Sequence, residues 1–185
     1  TVVETNIAYP SDSNLLRDGV RVVSRLIGRA REFVAEQVEN VGEIFRNRTR
    51  SAKRLAHQIT EEARRRGQEA EVARRATYER LLKVAEASLK QAETVQAALA
   101  EAPVKAAQRV RDGLGHIVPL VKQVIVQTRR RVLEGQAVPA AEKLVSLFEP
   151  HTRIIRRGKA HKPTEFGRKV SLDEVDGGIV SRYRI

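Results

Sequence analysis

Residues 14–45 read NLLRDGVRVVSRLIGRAREFVAEQVENVGEIF. Leu16, Val20, Val23, Ile27, Ala30, Val34, Val38, Val41 and Phe45 recur at steps of three and four, which on an α-helix puts them on one face. Arg17, Arg21, Arg25, Arg29, Glu32, Glu36 and Glu39 take the other face. The pattern predicts a long amphipathic helix that needs further helices to cover its apolar stripe. Upstream, residues 1–7 (TVVETNI) are rich in β-branched side chains and read as a short strand. Residues 8–13 (AYPSDS) read as a turn, with Asp12 or Ser13 capping the helix that follows.

Downstream, residues 48–102 form a second helical stretch. Its polar first half is marked by Gly67 as the place of a bend, and Tyr78, Leu82, Ala85, Leu89, Ala92 and Leu99 make a heptad-like seam interrupted by Gln96. A helical hairpin or coiled-coil arm is expected there. Residues 104–134 carry Val110, Leu114, Ile117, Val118, Val121, Ile125 and Leu133 at helical spacing, with Pro119 predicting a kink and Gly135 an end. A short helix is expected over 139–148, stopped by Pro150. The pattern then turns strand-like at 152–157, 166–172 and 179–185. Asp176-Gly177-Gly178 supplies a hairpin turn between the last two. The fold class expected is α+β and predominantly helical. One N-terminal strand leads, and a three-strand meander closes after a long helical insertion. The boundaries fall at 1–12, 13–150 and 151–185.

Of the 185 residues, 41% are hydrophobic but only 4% aromatic, so the core must be built from Ala, Val, Leu and Ile, as packed helices allow. The chain has no cysteine, which excludes disulfides and thiolate metal sites and points to a reducing, cytoplasmic setting. No apolar run approaches the roughly 20 residues that span a bilayer, so no membrane partner is expected. The chain also lacks methionine and stops on an alternating strand pattern, which predicts a segment cut from a longer protein. Net charge is +12. Residues 103–162 hold 13 basic and 4 acidic side chains, against 18 and 15 in residues 1–102, so the excess is local and suits a polyanion.

Two stretches resemble a known family. TVVETNIAYPSDSNLLRDGVRVVSRL (1–26) and LFEPHTRIIRRGKAHKPTEFGRKVSLDEVDGGIVSRYRI (147–185) together are similar to the catalytic region of bacterial insertion-sequence transposases of the DDE class, of the ISNCY-like kind. The match covers about a third of the chain, at both ends. The resemblance implies an RNase H-like sheet with the helices as an insertion. It also implies DNA cleavage and strand transfer during DNA transposition, with Mg²⁺ held by three carboxylates. Partners would be DNA, as transposon ends and target, with a possible homodimer, in the bacterial cytoplasm at the nucleoid. In that scheme the first catalytic aspartate precedes Thr1 and the later acids follow Ile185. The fragment is then expected to be inactive alone, with no complete catalytic set and no bound metal.

The acids present are weighed accordingly. Glu4 lies on the first strand and is expected to be a surface residue more often than a metal ligand. Asp12 suits an N-cap or turn. Asp173, Glu174 and Asp176 cluster around a turn. His151 and His161 flank the RGK loop without the further ligands zinc would need, and Gly158-Lys159 lacks the rest of a phosphate-binding loop. The basic cluster Arg153, Arg156, Arg157, Lys159, Lys162, Arg168 and Lys169 is the candidate DNA-binding site, with Glu165 pairing with or orienting Arg168 or Lys169. Strand alternation sends Arg153 and Arg157 to one face and Arg156 to the other. Arg129, Arg130 and Arg131 form a second cluster that also suits a helix C-terminus. Two other readings stand beside the transposase: a non-catalytic basic helical nucleic-acid-binding module, and a coiled-coil scaffold.

Overall fold

The computed structural model describes residues 2–4, 7, 10–100, 102–156, 163–175 and 179–184. The chain is predominantly helical, with antiparallel strands near its two ends. It divides into two units: residues 11–138, all helical, and residues 1–10 together with 139–185, which carry the strands. The expected boundaries at 12/13 and 150/151 thus move to 10/11 and 138/139.

The helical unit holds α1 (Asp12–Val34), α2 (Val41–Ile44), α3 (Thr49–Ala63), α4 (Gln68–Ala98) and α5 (Lys105–Thr128), the last continuing as one π-helical turn, Arg129–Leu133. Paired side chains give the helix directions. Asp12 meets Gln127 and Arg131, and Leu26 meets Gly113, so α1 and α5 are antiparallel. Lys122 meets Glu93 and Arg129 meets Glu86, so α5 and α4 are antiparallel. Thr77 donates to Glu62 while Gln91 reaches the carbonyls of Glu43 and Arg46, so α4 runs against α3. The result is an up-down-up-down bundle of α1, α3, α4 and α5, with α1 also touching α4 across the middle.

The apolar stripe read from sequence is the core of that bundle. Leu16, Val20, Val23, Ile27, Ala30 and Val34 are buried, as are Val110, Leu114, Ile117, Val118, Val121 and Ile125. The heptad-like seam is buried too, from Tyr78 to Leu99. Its covering helices come from the same unit, chiefly α1, α3 and α5, rather than from a coiled-coil partner.

Several expectations change. The first helix ends at Val34, not Phe45: a 3-10 turn over Ala35–Gln37 follows, Val38 is extended, and Asn40 takes φ 52°. Asparagine tolerates that left-handed backbone better than most side chains, and Val38, Val41 and Phe45 are only half-buried beyond it. Ser11, not Asp12 or Ser13, caps α1: its hydroxyl accepts from the Asn14 N–H at 3.2 Å. Asp12 instead sits buried in the first turn, accepting from Gln127 Nε2 at 3.1 Å and Arg131 Nε at 2.6 Å. The bend at Gly67 is a full break between α3 and α4, with φ 101° at that glycine. Pro119 lies within α5 without interrupting it; Pro119 and Gly115, whose carbonyl it leaves without an N–H, are both exposed, so the oxygen is open to solvent.

The helix expected over 139–148 does not form. Leu144, Val145, Ser146 and Leu147 are all buried, which one face of a helix cannot arrange for consecutive residues. The Ser146 hydroxyl takes the N–H groups of Phe148 (3.3 Å) and Glu149 (3.0 Å), competing with helical bonding.

In the strand-bearing unit, β1 (Val2–Glu4), β2 (Arg153–Arg156) and β3 (Thr164–Lys169) form one antiparallel sheet in the order β1-β3-β2. Val2 stands opposite Lys169, and Val3 opposite Arg168. The opening strand is thus joined to the closing segment across the whole helical unit, as expected. The three-strand meander is corrected: the run expected as one strand over 166–172 parts at Val170 into β3 and β4 (Ser171–Val175). Both edges of β3 are taken by β1 and β2, while β4 pairs with β5 (Ile179–Arg184) in a separate hairpin, so the segment changes partners at Val170. The turn read at Asp176-Gly177-Gly178 lies outside the described residues.

Candidate nucleic-acid interface

The basic cluster read from sequence falls on the three-stranded sheet, and strand pleat divides it. Arg153 pairs with Gly167, Ile155 with Glu165, Ile154 with Phe166 and Arg156 with Thr164. Facing residues share a side of the sheet, so Ile155, Glu165 and Gly167 lie on one face and Ile154, Arg156, Thr164, Phe166 and Arg168 on the other. The first face is buried: Ile155 is 5% exposed and Glu165 2%. The second is half-exposed, with Arg156 fully at the surface.

The sheet therefore brings Arg156 and Arg168 together on one open face, about 13 Å apart along the strands, with Ile154 and Phe166 between them. Arg153 belongs to the other face. It is exposed where β2 begins, and its Nη1 donates to the Ala141 carbonyl at 3.0 Å, which straps the preceding loop. Lys169 stands in register with Val2. Arg157, Lys159, Lys162 and His161 lie outside the described residues. Because β2 is an edge strand, a shallow cleft of about 270 Å³ opens along Arg153, Ile154, Ile155 and Arg156.

The register bears on one sequence reading: Glu165 and Arg168 fall on opposite faces of β3, since three residues along a strand reverse the side chain, which leaves Lys169 as the other partner read from sequence. Phe166 carries no charge and escapes a search for basic residues, yet it holds the middle of the open face. Counting two along the strand from Arg168 is the signal that finds it.

The other candidates have structural roles or separate positions. Arg129 pairs with Glu86, Arg131 with Asp12, and Arg130 Nε donates to Gln136 Oε1 at 3.4 Å, so the second cluster binds the bundle to itself at a helix C-terminus. His151 Nε2 lies 2.9 Å from a Glu149 carboxylate oxygen at the surface. Glu4 stands opposite Gly167 on β1, and Asp173 is exposed on β4. Among the described residues no three His, Cys, Asp or Glu side chains converge to hold a metal ion. No helix among them is long and apolar enough to cross a membrane.

No family model matches the chain, and no curated protein or solved structure matches it significantly.

Proposed function

We propose that this chain is part of the catalytic region of a DDE-class transposase, with its strand-bearing unit contributing to an RNase H-like sheet and contacting DNA. One observation carries the reading. The two stretches that resemble that family, separated by the helical unit, meet as β1 and β3 of one sheet, in the register Val2 to Lys169. The helices between them then have the place of an insertion. The open face with Arg156, Phe166 and Arg168 offers two guanidinium groups for phosphates and an apolar centre against a sugar or base. Cleavage chemistry in this reading belongs to the metal-binding carboxylates that the resemblance implies.

The test is binding of the chain to duplex DNA by fluorescence anisotropy over a salt series. Arg156→Glu with Arg168→Glu is expected to weaken binding at least tenfold and to lower the salt slope by roughly two, about 0.9 for each phosphate no longer neutralised. Unchanged affinity and slope in that variant would remove the sheet from the interface.

A further inference from the structure

The bundle treats its charges unevenly. Along the α4–α5 seam, cations are matched across helices: Lys122 with Glu93 at 2.6 Å and Arg129 with Glu86. The outer stripes of α1 and α3 differ. Residues 49–60 (TRSAKRLAHQIT) contain three basic side chains and no acid. Arg50, Lys53, Arg54 and His57 are exposed on α3, as are Arg25 and Arg29 on α1. Among the described residues, no carboxylate lies within salt-bridge distance of those six; Asp18 is engaged by Arg17 and Arg21, and Glu61 by Arg64. Glu32 is the nearest acid on α1, three residues beyond Arg29, and forms no salt bridge with it.

The helices that carry these stripes are neighbours. Helices α1 and α3 touch, and the chain of antiparallel pairs above makes them antiparallel to each other. The second half of α1 therefore lies beside the first half of α3. Arg31, 5.9 Å from the Phe45 ring centre, ties the end of α1 to the segment that leads there. Like charges on successive turns repel, and cations in the first turn of α3 oppose its dipole. Among the described residues, no salt bridge to any of the six offsets that cost.

We infer that the α1–α3 face of the helical unit is a second nucleic-acid surface, which grips the phosphate backbone of duplex DNA without reading its sequence. The choice of DNA rests on the reading proposed above; the phosphate chemistry does not. The chemistry of the face favours a duplex backbone over other polyanions. Exposed large apolar residues are Val72, Val104, Val126 and Phe148, none of them on α1 or α3, so the face has nothing to insert into a membrane. Nor is any aromatic side chain exposed along the stripes for stacking on unpaired bases. From Arg17 to Arg29 the α1 stripe runs about 18 Å, the length of about five phosphates along one strand.

The full chain is tested by the same anisotropy titration with random-sequence duplex DNA, in two separate variants. Arg25→Glu, Arg29→Glu, Arg50→Glu and Lys53→Glu combined are expected to weaken binding at least tenfold, equally for unrelated sequences, and to reduce the salt slope by roughly three to four. The matching Gln variant, with unchanged circular dichroism, loses the same four phosphate contacts, should lower the slope by a similar amount, and guards against misfolding by charge reversal. The sheet variant Arg156→Glu/Arg168→Glu separates the two ideas. If it alone loses binding, the bundle surface is refuted and the sheet reading stands. If the bundle variant alone loses binding, the sheet reading fails and the bundle surface stands. Tighter binding to anionic phospholipid vesicles or to single-stranded DNA than to the duplex would also overturn the inference.

Discussion

Replacing Asp12 with alanine should cost the helical unit about 2–4 kcal/mol, and the size follows from its surroundings. The Asp12 side chain is 7% exposed, and Arg131 opposite it is 42% exposed. Loss of the carboxylate leaves the Gln127 amide, itself 5% exposed, without its acceptor at 3.1 Å, a penalty of about 1–3 kcal/mol. The Arg131 guanidinium is wet enough to resolvate, so its ion pair adds no more than about 1 kcal/mol. An acid removed from the first turn of α1 adds about 0.3–1 kcal/mol through the helix dipole. Arg131→Ala, by contrast, leaves the carboxylate with Gln127 and an opening to water, and should cost only about 1 kcal/mol. Urea unfolding followed by far-ultraviolet circular dichroism, with the slope unchanged, measures both. An Asp12→Ala variant within about 0.5 kcal/mol of the parent chain, or an Arg131→Ala variant that is the worse of the two, refutes the reasoning.

Four further outcomes are expected. Burial pushes the Tyr78 hydroxyl above its ordinary value of 10.0, while a hydrogen bond with Ser13 pulls the other way. A group whose pKa is raised on folding stabilises below its unfolded value and loses that contribution as pH rises, so the bundle should weaken above pH 10.0. Tyr78→Phe should flatten that alkaline decline in a thermal-melt series. Leu81→Ala, at a site 0% exposed, should cost about 2–5 kcal/mol in urea. Val72→Ala, 62% exposed, should change stability by less than about 0.5 kcal/mol. Gly115→Ala places a Cβ 3.5 Å from the Gln96 amide nitrogen, an ordinary contact, so the helix-propensity gain should prevail. A rise of about 0.5–1 kcal/mol is expected, and a fall in melting temperature would contradict it.

What the sequence made legible were features set by local periodicity. The stripe from Leu16 to Val34 marks the core because one face of a helix has one environment, and the break at Gly67 follows from the backbone that residue allows. The strand at the start and those at the end were readable from β-branched alternation. Features decided by partners were not. Nothing local says that the segment from Thr164 to Val175 changes sheets at Val170, because both halves alternate alike. Apolar spacing over 139–148 suggests a helix, but the four consecutive buried residues 144–147 and the Ser146 hydroxyl's bonds to two N–H groups oppose one. The candidate site was legible as a composition of Arg and Lys, but its division into an open face and a strap at Arg153 required the register with β3.

The pairing of Val3 with Arg168 also sets an order of events in folding. In the unfolded chain these residues close a loop more than a hundred and fifty positions long, among the slowest contacts to find. Once α1 and α5 have zipped together and Asp12 has met Arg131, the same closure spans only the two short tails that leave the bundle. That shortening recovers about 1 kcal/mol of loop entropy. The helices, built from near neighbours, thus act as the jig on which the sheet is assembled, and pulsed hydrogen exchange should find their amides protected before those of β1 and β3.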